Sequence, residues 1–128
     1  MKINNVQLGA LRDTFIQIKD QKMPFKLALI LAKNLAILDK EYEFYIERER
    51  EFALKFLEID PLTGKLIESA PNVIKIKSGM EEECKIARED LDAFENELDL
   101  HMIPMTLLEN LEFTPAQLAA LECLIEEE

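Results

Sequence analysis

The chain has no tryptophan, one histidine, two cysteines and three glycines, and each shortage excludes a class of chemistry. A Ser-His or Cys-His nucleophile pair would have to use His101, which stands between Leu100 and Met102 in a stretch that alternates like a strand. Gly9, Gly64 and Gly79 are isolated, so no glycine-rich loop can wrap a phosphate. Cys84 and Cys123 are too few for a disulfide framework and lack Cys-x-x-Cys spacing; both fall on apolar helical stripes, which reads as buried free thiols. The longest nearly apolar run, Leu27 to Ala32, is far short of a membrane span of about 20 residues. Met1-Lys2-Ile3-Asn4-Asn5 carries no apolar leader segment, so the expected location is the cytoplasm.

What the chain has in excess is negative charge, −11 in total and unevenly placed. Residues 1–40 hold seven Lys or Arg against three Asp, whereas residues 41–128 hold eight against twenty-three acids. A surface of that sign repels phosphate backbones and anionic lipid, so no direct nucleic-acid or membrane binding is expected. It favours another protein, one with a basic surface. At 48% hydrophobic residues over 128 positions the chain can fold as one domain, 1–128, without a metal or cofactor.

Periodicity predicts a helix-dominated α+β domain. Leu8, Leu11, Phe15 and Ile18 recur at helical spacing over about residues 6–19. Pro24 suits the first turn of a second helix. Leu31, Leu35, Leu38, Tyr42, Tyr45, Glu49, Phe52 and Phe56 step by alternating fours and threes along it, giving a long helix of about residues 24–57. Asp60-Pro61-Leu62-Thr63-Gly64 is a turn. Short β-branched runs at 65–68 and 73–77, with alternation over 97–103, predict a small antiparallel sheet. Cys84, Ala87, Leu91, Phe94 and Leu98 predict a helix that turns into a strand near Glu97. Thr106 is placed to cap a short helix through Leu111. Thr114-Pro115-Ala116-Gln117 is a capping box opening a C-terminal helix with Leu118, Leu121, Leu124 and Ile125 on its apolar side and a fraying acidic tail.

Two sets of residues are candidates for partner binding. On the long helix they are Tyr42, Tyr45, Glu49 and Phe52, where Glu49 interrupts an apolar register and must find a cation or mark a contact left open. Glu81, Glu82, Glu83 and Glu89 form an acidic face on the next helix. The Glu47-Arg48-Glu49-Arg50-Glu51 run reads as pairs one turn apart. A Mg²⁺-dependent nucleotide hydrolase is the enzymatic alternative, but the Glu-Glu-x-x-Glu pattern of all-α pyrophosphohydrolases fails at Lys85, leaving only Glu89 and Asp92 at the second spacing. No catalytic or metal-binding residue is assigned.

The stretch Pro24-Phe-Lys-Leu-Ala-Leu-Ile-Leu-Ala-Lys-Asn-Leu-Ala-Ile-Leu, the Glu-Arg helix after it, the Asp60–Gly64 turn and the closing Phe113-Thr-Pro-Ala-Gln-Leu-Ala-Ala-Leu-Glu-Cys-Leu-Ile together resemble a family of small phage and prophage proteins of Gram-positive hosts with no assigned function. The resemblance implies a phage-encoded protein acting in the host cytoplasm. The expectation is a non-enzymatic protein–protein interaction factor with an assembly or accessory role. An inhibitor of a host defence or nucleic-acid enzyme, acting through an acidic DNA-mimic-like face, is the alternative. A homo-oligomer through the long helix is a further expectation.

Overall fold

The computed structural model describes residues 1–127, which fold as helix-dominated α+β with a long second helix and small sheets. The chain divides into two compact units, one of Met1–Tyr42 with Glu95–Glu128 and the other of Glu43–Phe94.

In the first unit β1 (Lys2–Asn4) runs into α1 (Asn5–Ile18). Asn4 caps the helix by accepting from Gln7 N at 2.8 Å, while the Gln7 side chain accepts from Asn4 N at 2.9 Å. Leu8, Leu11, Phe15 and Ile18 are at most 1% exposed, as their spacing predicts. Burial of each contributes about 1.5–3 kcal/mol. The first half of α2 (Phe25–Phe56) adds Leu27, Leu31 and Leu38. Pro24 precedes this helix instead of opening it: its carbonyl accepts from Ala28 N at 3.0 Å, and a residue without an N–H loses nothing there. Leu98, Ile103, Leu108, Leu121 and Leu124 complete the core.

The predicted strand over 97–103 does not join a sheet with 65–68 and 73–77. β4 (Glu95–Glu97) pairs antiparallel with β1, and β5 (Ile103–Pro104) pairs parallel with β6 (Ile125–Glu126). Side chains hold this segment where strands were expected to. The buried Asn96 amide donates to Ile3 O at 3.3 Å and to Asn5 Oδ1 at 2.9 Å. Asn34 on α2, fully buried, accepts from His101 N at 2.7 Å and donates to His101 O at 2.9 Å. Leu98 still pairs with Met1, its N–H donating to Met1 O at 2.9 Å, whereas both backbone groups of His101 are satisfied by the one amide and need no neighbouring strand.

The C-terminal helix is also shorter than predicted. The Thr114–Gln117 capping box is present, with Gln117 N donating to Thr114 Oγ1 at 3.2 Å and Thr114 N to Gln117 Oε1 at 2.9 Å. α4 (Pro115–Leu121) then tightens into a 3₁₀ turn at Glu122–Leu124, and Ile125 enters β6 instead of continuing the helix; of the acidic tail expected to fray, Glu126 is paired in that strand and Glu128 lies outside the described residues. Residues 106–111, expected to be a short helix, contribute to a single 3₁₀ turn, Met105–Leu108. Thr114→Ala is expected to cost about 1 kcal/mol in urea unfolding, the value of one N-cap; an unchanged midpoint would show that the cap contributes nothing.

The second unit contains the second half of α2, β2 (Glu68–Ala70), β3 (Val73–Ile74) and α3 (Glu81–Ala93). β2 and β3 are antiparallel across Pro71-Asn72, with Asn72 at φ 63°. Pro fixes the first turn position, and Asn tolerates the left-handed second one. Gly64, at φ 70°, closes the Asp60 turn by donating to Asp60 O at 2.8 Å. The segment after α2 joins the hairpin through Glu58 N to Lys75 O at 2.9 Å and Ile67 N to Glu58 O at 3.0 Å. α3 ends at Ala93, so the helix-to-strand change falls at Phe94, whose ψ of 126° leaves the helix before Glu97. Among the described residues of this unit only Phe56 and Cys84 are buried apolar side chains. Phe44, Ile46, Leu54, Leu62, Leu66, Val73, Ile86 and Phe94 are between 41% and 93% exposed.

Candidate interaction site

The four candidates on α2 separate at Tyr42. Arg12 of the first unit lies 4.1 Å from the centre of the Tyr42 ring and donates from Nε to Asp39 Oδ1 at 2.7 Å. Tyr45, Glu49 and Phe52 face α3 in the second unit, where one cation gathers them. Arg88 engages Glu49 with both terminal nitrogens, Nη1 reaching Oε2 at 3.0 Å and Nη2 reaching Oε1. Its Nη2 also meets Asp92 Oδ1 at 2.8 Å, one turn along α3. The guanidinium sits 4.7 Å from the centre of the Phe52 ring. Glu49 therefore has the cationic partner that its place on the half-buried stripe requires.

Electrostatics follow from this geometry. Arg88's hydrogen bonds hold the Glu49 carboxyl below its ordinary range, against the opposing effect of burial, and Tyr45 adds a further hydrogen bond. Burial first, then the Glu49 carboxylate, pushes the Tyr45 hydroxyl up to about 12. Arg88 is held still more firmly protonated, chiefly by its hydrogen bond to Glu49. Beside this cluster Arg48 lies 5.0 Å from the centre of the Phe94 ring.

Of the acidic candidates, Glu81 lines a hollow of about 360 Å³ with Phe52, Leu57, Ile76, Cys84 and Arg88. Glu82, Glu83 and Glu89 are exposed on the outer face of α3. That face has a centre missed by the sequence reading. Ile86 is 52% exposed, and its four nearest helical neighbours, three and four residues away on each side, are Glu82, Glu83, Glu89 and Asp90. The signal was present in the sequence, because Ile86 falls off the apolar stripe of Cys84, Ala87 and Leu91. Arg88 was readable too: with Lys85 it is one of two bases on α3, and Glu49 needed one.

The remaining reactive side chains are placed elsewhere. The His101 side chain is exposed. Cys84 is a buried free thiol and Cys123 a half-buried one, pushed up in pKa mainly by desolvation. Asp92, needed by the hydrolase alternative, is paired with Arg88. Among the described residues no group of three His, Cys, Asp or Glu side chains is close enough to hold a metal ion, and no helix is long and apolar enough to cross a membrane. Compared with family models, curated proteins and solved structures, the chain matches none.

Proposed function

We propose that this chain is a non-enzymatic, phage-encoded interaction protein with an assembly or accessory role, binding a basic surface of another protein through the outer face of α3. The observation that carries this reading is Ile86 set among four carboxylates. An apolar side chain at the centre of a contact, with charges around it, matches the anatomy of a protein interface, where the desolvated centre carries affinity and the polar rim steers encounter. The Arg88 cluster supports the same face from behind by fixing α3 against α2.

The alternative, an inhibitor occupying a basic nucleic-acid channel, uses the same acids but makes no use of Ile86. The two readings separate in a pull-down from host extract at low and high salt. Ile86→Ser is expected to lower recovery of the bound protein about tenfold, as truncation of an interface centre does. The combined Glu82→Lys, Glu83→Lys and Glu89→Lys variant should abolish recovery at low salt. If Ile86→Ser binds normally and all binding disappears at high salt, the ionic inhibitor reading takes over. Unchanged recovery with the triple variant removes both.

A further inference from the structure

A second exposed apolar set lies on α2, away from the acidic face of α3. Ile46, Arg50 and Leu54 are spaced four residues apart, so they form one continuous ridge along the helix. Ile46 is 47% and Leu54 55% exposed, and Arg50 between them is exposed. Glu47, three residues before Arg50, borders the same ridge.

The ridge is symmetric about Arg50, with an apolar residue four positions to either side. The exposed charges along this stretch are of both signs, Glu43, Glu47 and Glu51 with Arg50 and Lys55. This segment offers both signs to an identical copy.

We propose that two copies of this chain associate antiparallel through the Ile46–Arg50–Leu54 ridge, about a twofold axis passing Arg50. In that register Ile46 of one copy meets Leu54 of the other, twice by symmetry. Each Arg50 lays its aliphatic stem over the apolar pair and brings its guanidinium to Glu47 of the other copy, one helical turn from the axis. The contact uses a different helix from the α3 face, so either can fail without the other.

Sedimentation equilibrium of the full chain tests this, from low micromolar to several hundred micromolar. The wild-type chain should pass from monomer to dimer mass, and Leu54→Glu should weaken association by about tenfold or more. All the altered side chains are exposed, and circular dichroism checks that the fold is kept. Arg50→Glu alone sets carboxylates against Glu47 across the axis, and Glu47→Arg alone sets cations against Arg50. Each should stay monomeric, whereas an equal mixture restores both cross-pairs and should form a heterodimer. A wild-type chain that keeps the monomer mass throughout overturns the proposal. So does a Leu54→Glu chain that dimerises normally, or a mixture no heavier than its components.

Discussion

Asn34→Leu is expected to lower unfolding stability by about 2–3 kcal/mol, although leucine is close to asparagine in size and the site is fully buried. The loss comes from His101. Its N–H and C=O are both satisfied by the one side-chain amide, and leucine offers neither a donor nor an acceptor. The apolar gain of the substitution offsets part of the cost, and water reaching the exposed side of residue 101 offsets another part. Urea unfolding gives the total. Hydrogen exchange at the His101 amide gives the mechanism: protected in the wild type, it should exchange early in the variant. A variant as stable as the parent with its amide still protected would show that His101 is held by something other than Asn34.

Arg88→Ala is expected to cost a similar amount, about 2–3 kcal/mol. That is below the 3–5 kcal/mol of breaking a fully buried ion pair, because solvent still reaches this one. Arg88 and Glu49 side chains are 35% and 27% exposed. The substitution leaves a half-buried carboxylate without its cation and removes the guanidinium from the Phe52 face. Arg88→Lys should recover only part of the loss, since an ammonium cannot grip both carboxylate oxygens in the same plane. A double-mutant cycle with Glu49→Gln isolates the pair, and a coupling energy near zero would remove the cluster as a stabilising element.

The same cluster sets a pH dependence at both ends. Glu49 has a folded pKa below its unfolded one, so its contribution is complete above the unfolded value and is lost as pH falls through the folded value. Tyr45 is shifted the other way, to about 12, so its contribution is complete below the ordinary tyrosine range and is lost as pH rises towards 12. Melting temperatures of the wild type should therefore fall on both the acid and alkaline sides. Arg88→Ala should flatten the acid side, because the hydrogen bonds that depress Glu49 are gone. An acid limb of unchanged steepness in that variant would assign it to other carboxylates.

The helices were legible in the sequence because their signals are local. Spacing placed Leu8, Leu11, Phe15 and Ile18 correctly, and Thr114 and Gln117 announced their own capping box. The long helix was predicted within one residue at each end, since Asp60, Pro61 and Gly64 permit no continuation. Strand partners were not legible, because pairing depends on residues distant in sequence. The alternation at 97–103 fits a strand in isolation, and nothing local reports that Asn34 will hold His101 or that Ile103 will lie beside Ile125. At the candidate site, the need of Glu49 for a cation could be read from its register, but the choice of Arg88 required two helices to meet.

The pairing of β1 with β4 also governs the order in which the protein can be made. Asn96 bonds to Ile3 across 93 residues of chain, and all of Glu43–Phe94 lies between. A ribosome therefore releases α1 and the start of α2, with Leu8, Leu11, Phe15, Leu27 and Leu31 on their apolar faces, well before Leu98, Leu121 and Leu124 exist to cover them. The inserted unit, whose contacts are nearer in sequence, can form during that interval. Translation that stops before Glu95 leaves the N-terminal helices without their cover, so truncated chains should be aggregation-prone where the finished one is not.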